Sequence, residues 1–179
     1  MLTKKNIDQN IRKIPDFPKP GILFYDITTL FENKSVWPQI ITEICQRYQN
    51  KKIDKVVGID ARGFLLAGAI GYQLKTGLAL VRKAGKLPGK TISATYEKEY
   101  GLDTISMHAD SIKPGEKILL VDDLLATGGT IMAAIDLVEK MQGQIIGLEF
   151  IINLSFLAGA NKLKAKGYSF NYVINYDHE

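Results

Sequence analysis

Two adjacent carboxylates, Asp122 and Asp123, stand between an apolar run and a loop of small residues. The preceding run, residues 118–121, is β-branched and leucine-rich, which is typical of a parallel strand buried on both faces. In a parallel α/β sheet the carboxyl end of such a strand faces the ligand crevice. The two carboxylates are therefore placed to accept hydrogen bonds from vicinal hydroxyls or to bind a divalent cation.

The loop after the carboxylates is suited to binding an anion. It consists of Ala126, Thr127, Gly128, Gly129 and Thr130. A loop without bulky side chains at the start of a helix presents backbone N–H groups and the positive end of the helix dipole to a phosphate. No Gly-Lys-Ser/Thr follows the glycines, so this is not a Walker loop. The alternative is an exposed turn with solvated acids, followed by a helix that Thr130 caps.

An alternation of strands and helices positions these residues. The predicted strands are residues 55–59, 78–82, 117–121, 144–152 and 170–175, and the predicted helices among them are 64–74, 131–141 and 157–166. This order predicts an α/β fold with a central, mostly parallel sheet. Residues 83–112 interrupt it with an alternating pattern that predicts an antiparallel hairpin, turning near 97–101. An inserted hairpin of that length is typical of a lid over a site.

Two further loops are expected at the same edge of the sheet. Ala61 and Arg62 follow the first predicted strand and open a helix, whose N-terminus can bind a second phosphate group. Arg82, Lys83 and Lys86 follow the neighbouring strand, and a mild basic excess suits an anionic small substrate. Alternatively, the first of these loops holds only a capping aspartate and a solvated arginine.

The segment before the first of these strands is predicted to be irregular in its middle. Thr3 is expected to cap a first helix with an apolar face that reaches Ile14. Prolines and a glycine exclude regular structure over residues 16–21. Ser35 is expected to cap the next helix.

The composition is that of an ordinary globular domain of 179 residues, with 46% hydrophobic residues and a formal net charge of +4. The length predicts one domain, and scattered lysines favour no nucleic-acid partner. No uncharged apolar stretch approaches ~18 residues, and the first residues lack a signal-peptide pattern, so we expect a cytoplasmic protein without a membrane partner. The single cysteine, Cys45, lies on an apolar helix face and is expected to be packed rather than nucleophilic.

Several motifs resemble those of the type I phosphoribosyltransferases. VDDLLATGGT at 121–130 is similar to the family's phosphoribosyl-pyrophosphate (PRPP) motif, in the form typical of adenine phosphoribosyltransferases. The other similar segments are DFPKPGILFYDIT at 16–28, GIDARG at 58–63, RKAGKLPG at 82–89 and EYG at 99–101. The resemblance spans roughly residues 11–175, with the motifs in the family's order and spacing, which is stronger than any single match.

The resemblance implies the type I phosphoribosyltransferase fold in a single domain, with an N-terminal hood at about 1–34 and a flexible lid hairpin at about 83–112. It implies a purine salvage enzyme in which adenine displaces pyrophosphate from PRPP to give AMP. Mg²⁺ is expected to be held mainly through PRPP rather than by direct protein ligands. A homodimer is also implied, because a basic residue of the 82–86 segment can reach the partner subunit's site in the family.

The resemblance also assigns roles at the sugar and the phosphates. Asp122 and Asp123 would bind the ribose hydroxyls and oppose the positive charge that develops on the ribose. A non-proline cis peptide is typical of the pyrophosphate loop, and here it would join Asp60 to Ala61. The remaining implied contacts with PRPP are Arg62, Arg82, Lys83, Lys86, Ala126, Thr127, Gly128, Gly129 and Thr130.

Five residues are assigned to the base and its proton. Phe24, beside Leu23, would stack on adenine, and Leu154 would contact the opposite face of the ring. Glu99 in the lid would act as the acid or base toward the purine N7, with Tyr100 beside it. The alternatives are that Phe24 is a plain core residue and that the lid glutamates are solvated.

Two other functions remain open. A PRPP-binding regulator would keep the fold without catalysis, although the residues before Pro15 are too few for the DNA-binding module that such relatives carry. A transferase for another nucleobase is the second alternative. The hypoxanthine type has an aspartate in its phosphate loop where this chain has Ala126, which favours adenine. Tyr25 and Ala84 stand where relatives often carry basic residues, and no role is assigned to them.

Overall fold

A central sheet with helices packed against it forms the part of the chain that the computed structural model describes, residues 3–97 and 101–178. In chain order the elements are α1 (Lys4–Gln9), β1 (Arg12–Ile14), β2 (Phe24–Asp26), α2 (Thr28–Glu32), α3 (Val36–Gln46), β3 (Lys55–Ile59), α4 (Arg62–Leu74), β4 (Gly77–Lys83), β5 (Thr91–Glu97), β6 (Leu102–His108), β7 (Lys117–Leu125), α5 (Gly129–Lys140), β8 (Gln144–Leu154), α6 (Gly159–Ala165) and β9 (Asn171–Tyr176).

The seven strands of the main sheet lie in the order β5-β6-β4-β3-β7-β8-β9. Strands β4, β3, β7, β8 and β9 are parallel, while β6 and β5 add an antiparallel edge. Crossover helices connect the parallel strands, as the alternating pattern predicted. The carboxyl ends of β3, β4 and β7 therefore meet at one edge, and the fold of the predicted class is confirmed.

The core lies on both faces of this sheet. Within β7, Leu119 and Val121 pack into a cluster with α3 and α4, whereas Ile118 and Leu120 pack into a cluster with α5. The apolar run at 118–121 has this composition because both of its faces are covered. Cys45 is buried in the first cluster, and burial raises the pKa of its thiol to about 11, as expected of a packed thiol.

The N-terminal region differs from its prediction in two places. Thr3 caps α1 as predicted, with its Oγ1 accepting from the Asn6 N–H at 3.2 Å. The helix nevertheless ends at Gln9, and β1 pairs antiparallel with β2. The prediction that Ser35 caps α3 is wrong. Its backbone is already helical, and the Asn33 side chain accepts from the N–H groups of Ser35 and Val36 at 2.9 and 3.0 Å.

Strands β7 and β8 continue further than their apolar runs predicted. Leu124 pairs with Ile152 and Leu125 pairs with Asn153. The ladder of backbone hydrogen bonds keeps these residues in the sheet although their neighbours are polar. As a result, Asp122 and Asp123 lie within a strand instead of after it.

The predicted hairpin is present as β5 and β6, and its base belongs to the main sheet. Arg82 and Lys83 at the end of β4 pair with Ser106 and Ile105 of β6. Apolar side chains of the hairpin, including Ile105, pack into the cluster beneath α5. The turn itself, with Glu99 and Tyr100, lies outside the described residues. Among the described helices, none has the length and apolar character needed to span a membrane.

Candidate active site

A cavity of about 270 Å³ opens at the carboxyl edge where β3, β4 and β7 meet. Its walls carry charged and hydroxyl side chains from strands β4, β5, β6 and β7, from the loop after β3 and from the phosphate loop. The lining residues are Ile59, Asp60, Lys83, Tyr96, Asp103, Ile105, Asp122, Asp123, Leu124, Ala126 and Thr130. Strand ends in a parallel sheet bring side chains that are far apart in sequence to one place, which explains this composition.

The carboxylate pair in this cavity is incompletely neutralised. Burial raises the pKa of Asp122, and the negative charge of Asp123 raises it further. Asp122 Oδ1 accepts a hydrogen bond from the backbone N–H of Asp123 at 2.9 Å. Arg62 Nε lies 2.7 Å from Asp123 Oδ2, so the arginine forms its ion pair with the second carboxylate. Two adjacent carboxylates of this kind favour a ligand that donates hydrogen bonds or carries positive charge.

Arg62 also links the carboxylates to the aromatic loop at the N-terminus. Its guanidinium carbon lies 5.3 Å from the centroid of the Phe24 ring, which is a cation–π distance. The edge of Phe17 packs against the same ring, with centroids 5.1 Å apart. The Phe17–Pro18 peptide bond is cis. The proline-rich segment therefore places Phe24 near the first loop of the site.

The phosphate loop has a fixed backbone shape that excludes side chains at two positions. Gly128 has φ +81°, and a Cβ there would lie 2.8 Å from the Gly159 Cα. A Cβ on Gly129 would lie 2.7 Å from the Tyr96 ring. The Gly159 N–H donates to the Ala126 carbonyl at 2.9 Å, which ties the loop to the start of α6. The loop is thus a packed structure at the N-terminus of α5 and not a solvated turn.

The loop after β3 contains the predicted cis peptide bond, between Asp60 and Ala61. Arg82 Nε lies 3.3 Å from Asp60 Oδ2, and Arg82 Nη1 donates to the Lys86 carbonyl at 3.0 Å. Arg82 therefore connects this loop to the basic loop after β4. The side chains of Lys83 and Lys86 are both exposed to solvent.

Comparison with known proteins identifies the family. Residues 28–170 match the family described as the phosphoribosyl transferase domain. The adenine phosphoribosyltransferase of Trichlorobacter lovleyi is 53% identical over 166 residues, covering 92% of this chain and 97% of that protein. The crystal structure of the Rhodothermus marinus enzyme has a TM-score of 0.91 and 42% identity, covering 97% of this chain and 98% of that one. The chain belongs to the adenine phosphoribosyltransferase family.

A family structure with ligands extends this comparison. The Saccharomyces cerevisiae adenine phosphoribosyltransferase, solved with D-2,5-dideoxy-2,5-imino-altritol 1,6-bisphosphate and adenine, superimposes with a TM-score of 0.89. It is 35% identical to this chain and covers 96% of it and 98% of its own length. The fold and family expected from the motifs are therefore both confirmed.

The structure brings together only part of the predicted site. Asp122, Asp123, Lys83, Ala126 and Thr130 line one cavity. Leu154 is buried, at 7% exposure, in a core cluster against which Leu23 and Ala126 also pack. The remaining predicted contacts are not among the residues that line this cavity. They are Phe24, Ala61, Arg62, Arg82, Lys86, Thr127, Gly128 and Gly129.

Two polar lining residues on the hairpin strands, Tyr96 and Asp103, were not predicted as site residues from the sequence. Tyr96 stands in the alternating pattern of β5, so its position toward the covered face of the sheet followed from that alternation. Its contact with the phosphate loop depends on how the hairpin packs against α5, for which the sequence has no local signal.

Proposed function

We propose that this protein transfers the 5-phosphoribosyl group of PRPP to adenine, releasing AMP and pyrophosphate, as a purine salvage enzyme of the cytoplasm. The observation that carries the proposal is the carboxylate pair, Asp122 and Asp123, directly before a packed phosphate loop in one cavity. Family membership and the yeast relative, which was solved with adenine and a bisphosphate, support the same reaction.

The ribose 5-phosphate would be held at two points. Backbone N–H groups of the loop from Ala126 to Thr130, with the α5 dipole behind them, would bind the phosphate. Asp122 and Asp123 would accept hydrogen bonds from the two ribose hydroxyls. As the bond from C1 to pyrophosphate breaks, positive charge builds on the ribose, and these carboxylates oppose it electrostatically.

The pyrophosphate would bind at the loop after β3 and the basic loop after β4. The backbone at Ala61 and the side chains of Arg82, Lys83 and Lys86 would provide positive charge and donors. The described residues contain no group of three or more side chains arranged to hold a metal ion. Oxygen donors such as Asp122 and Asp123 suit Mg²⁺, which would enter mainly as a complex with PRPP and neutralise charge on the leaving pyrophosphate.

Adenine would stack on the ring of Phe24, with Leu154 on its other side and Leu23 beside it. Phe24 is only partly buried, and Arg62 covers part of its ring. Stacking of this kind contributes about 1–3 kcal/mol. Phe24→Ala is therefore expected to raise the KM for adenine before it affects PRPP. An equal loss for both substrates would point to misfolding instead.

We propose that Glu99 acts as the acid or base toward the purine N7. Tyr100 would lie beside it in the lid, residues 83–112. We expect Glu99→Gln to lower kcat by roughly 10²–10⁴-fold, the usual scale for one acid or base group. Glu97→Gln is the matched control and is expected to cost little. Comparable losses in the two variants would contradict the assignment.

We also propose one domain with a hood at residues 1–34, assembled as a homodimer through the outer face of α4. Leu65 and Tyr72 on that face are 56% and 89% exposed, and Leu78 on neighbouring β4 is 47% exposed. A second copy of the chain would cover these side chains beside a helix that begins at Arg62 of the site. Sedimentation of the wild type against Tyr72→Glu tests this. A wild-type monomer would contradict the dimer.

The reaction is tested with adenine, hypoxanthine, guanine and xanthine, each with PRPP and Mg²⁺. Formation of AMP from adenine, with little product from the others, is expected. PRPP binding without turnover of any base would instead support the regulator. Preference for another base would contradict the assignment of adenine.

A further inference from the structure

The hairpin and the phosphate loop are joined by a tyrosine that no motif of the reaction includes. Tyr96 on β5 lines the cavity and packs its ring against Gly129, at the first turn of α5. The backbone carbonyl of Glu97 lies in the same region, 3.0 Å from where a Gly129 Cβ would be. The ring is therefore seated on the phosphate loop at its entrance to the helix.

The hydroxyl of Tyr96 forms a chain of hydrogen bonds from the loop to the opposite strand of the hairpin. Thr130 Oγ1 donates to the Tyr96 hydroxyl at 3.0 Å. The Tyr96 hydroxyl in turn donates to Asp103 Oδ2 on β6, at a long 3.5 Å. In this state the one hydroxyl proton of Thr130 is directed at the tyrosine.

A phosphate in the loop requires a different arrangement of these protons. Thr130 has a single hydroxyl proton, and a charge-assisted bond to a phosphate oxygen is stronger than one to a neutral phenol. When Thr130 donates to phosphate, its oxygen still has lone pairs that accept. The Tyr96 hydroxyl can then turn from Asp103 and donate to Thr130, which polarises the threonine and strengthens its bond to phosphate.

We propose that Tyr96 is a positioning residue that couples binding of the PRPP 5-phosphate at Thr130 to the turn end of the lid hairpin. In the structure its hydroxyl donates to Asp103, and when a phosphate is bound it donates to Thr130 instead. The inference rests on the proposed function, since it takes the loop to bind the 5-phosphate. It places the link between substrate occupancy and lid position in one hydroxyl group.

A double-mutant cycle measured by calorimetry tests the proposal. Tyr96→Phe keeps the ring against Gly129 and removes only the hydroxyl. We expect it to weaken binding of PRPP with Mg²⁺ by roughly five- to tenfold, the scale of one net hydrogen bond. In steady-state kinetics the KM for PRPP rises by the same factor, while the KM for adenine at saturating PRPP is unchanged.

The partner variants separate coupling from a general structural effect. In a Thr130→Ala background, adding Tyr96→Phe is expected to change PRPP affinity by less than about twofold, because the group it acts through is absent. In a Thr130→Ser background, which keeps the hydroxyl, the full five- to tenfold loss returns. Tyr168→Phe is the control, because its hydroxyl contacts Glu139 near the other end of α5.

Two results would overturn the inference. One is unchanged PRPP affinity in Tyr96→Phe, and the other is a full multiplication of the losses from Tyr96→Phe and Thr130→Ala. Calorimetry keeps this test distinct from the proposed reaction. A wild type that binds PRPP but makes no AMP would contradict the proposed function alone, and one that binds no PRPP would contradict both.

Discussion

Two sites on neighbouring strands hold fully or partly buried carboxylates, and they differ in how the protein neutralises them. Glu149 on β8 is completely buried and accepts hydrogen bonds from Arg47, Tyr48 and Asn171, each at 2.7 Å. On β7, one position beyond the residue that pairs with Glu149, Asp122 and Asp123 line an open cavity.

Burial raises the pKa of Glu149 and of Asp122, yet the next-largest influences on the two pKa values act in opposite directions. Arg47 and the hydrogen bonds to Glu149 lower its pKa and partly offset the desolvation. The neighbouring charge of Asp123 adds to the desolvation of Asp122. A carboxylate whose partners are all provided by the protein stabilises the fold. Two carboxylates that repel each other in a cavity are stabilised by hydrogen-bond donors of a ligand, which is typical of a binding site.

Among the changes that compare the two sites, neutralising the cavity pair is expected to have the largest effect. Asp122→Asn combined with Asp123→Asn removes the charges that oppose the developing ribose cation. We expect kcat/KM to fall by roughly 10²–10³-fold, the scale of losing one electrostatic contact to a transition state. Circular dichroism is expected to show a folded protein. Near-normal kcat/KM would remove the basis for distinguishing the two sites.

At the other site the loss is expected in stability rather than activity. Arg47→Ala leaves Glu149 as a buried charge without its cation, which costs about 3–5 kcal/mol in the free energy of unfolding. Glu43→Ala is the matched control, because it removes the exposed partner of the same arginine and costs less than about 1 kcal/mol. Urea unfolding measures both. A loss of activity in folded Arg47→Ala would contradict a purely structural role.

A smaller effect separates backbone shape from ligand binding at the phosphate loop. Gly128 and Gly167 have similar φ values, +81° and +84°, but only the Cβ position of Gly128 meets other atoms within 4 Å. Gly167→Ala therefore has only the conformational cost, about 1 kcal/mol, with normal PRPP affinity. Gly128→Ala is expected to cost more and to weaken PRPP binding. Equal changes in PRPP affinity and in thermal stability for the two variants would contradict a loop whose packing requires glycine at position 128.

The smallest effect is on the pH dependence of stability. Because the pKa of Asp122 is raised in the folded state, the folded protein binds more protons than the unfolded one above the ordinary pKa of a carboxyl group. Stability from this group is therefore present at low pH and is lost as the pH rises through the raised value. Asp122→Asn is expected to flatten this part of the profile of unfolding free energy against pH. An unchanged profile would contradict the raised pKa.

Local patterns predicted the elements of this fold better than its polar contacts. The strand predicted at 55–59 is β3 with the same bounds, because its apolar residues record burial on both faces. The carboxylates, the phosphate loop and the cis peptide at Asp60 were likewise found by motif. The cap at Asn33 was missed, since two polar residues close together both suit a cap and only the backbone decides between them.

The contacts that distinguish the two carboxylate sites had no local signal. Arg62 meets Asp123, Arg47 meets Glu149, and Tyr96 meets Thr130 across long stretches of sequence. Each depends on the packing of a helix or hairpin against a strand that it does not adjoin in the chain. Sequence patterns indicate which residues are polar, whereas tertiary packing decides whether a carboxylate is neutralised.

The central claim is that the charge of Asp122 serves ligand binding and lowers the stability of the ligand-free protein. Thermal unfolding of wild type and Asp122→Asn, each with and without PRPP and Mg²⁺, tests it most directly. Without ligand the variant is expected to be at least as stable as the wild type. At PRPP about 100 times its Kd the wild type gains about 2.7 kcal/mol, and the variant gains much less at the same concentration. A variant that is less stable without ligand, or that gains as much from PRPP as the wild type, would contradict the claim.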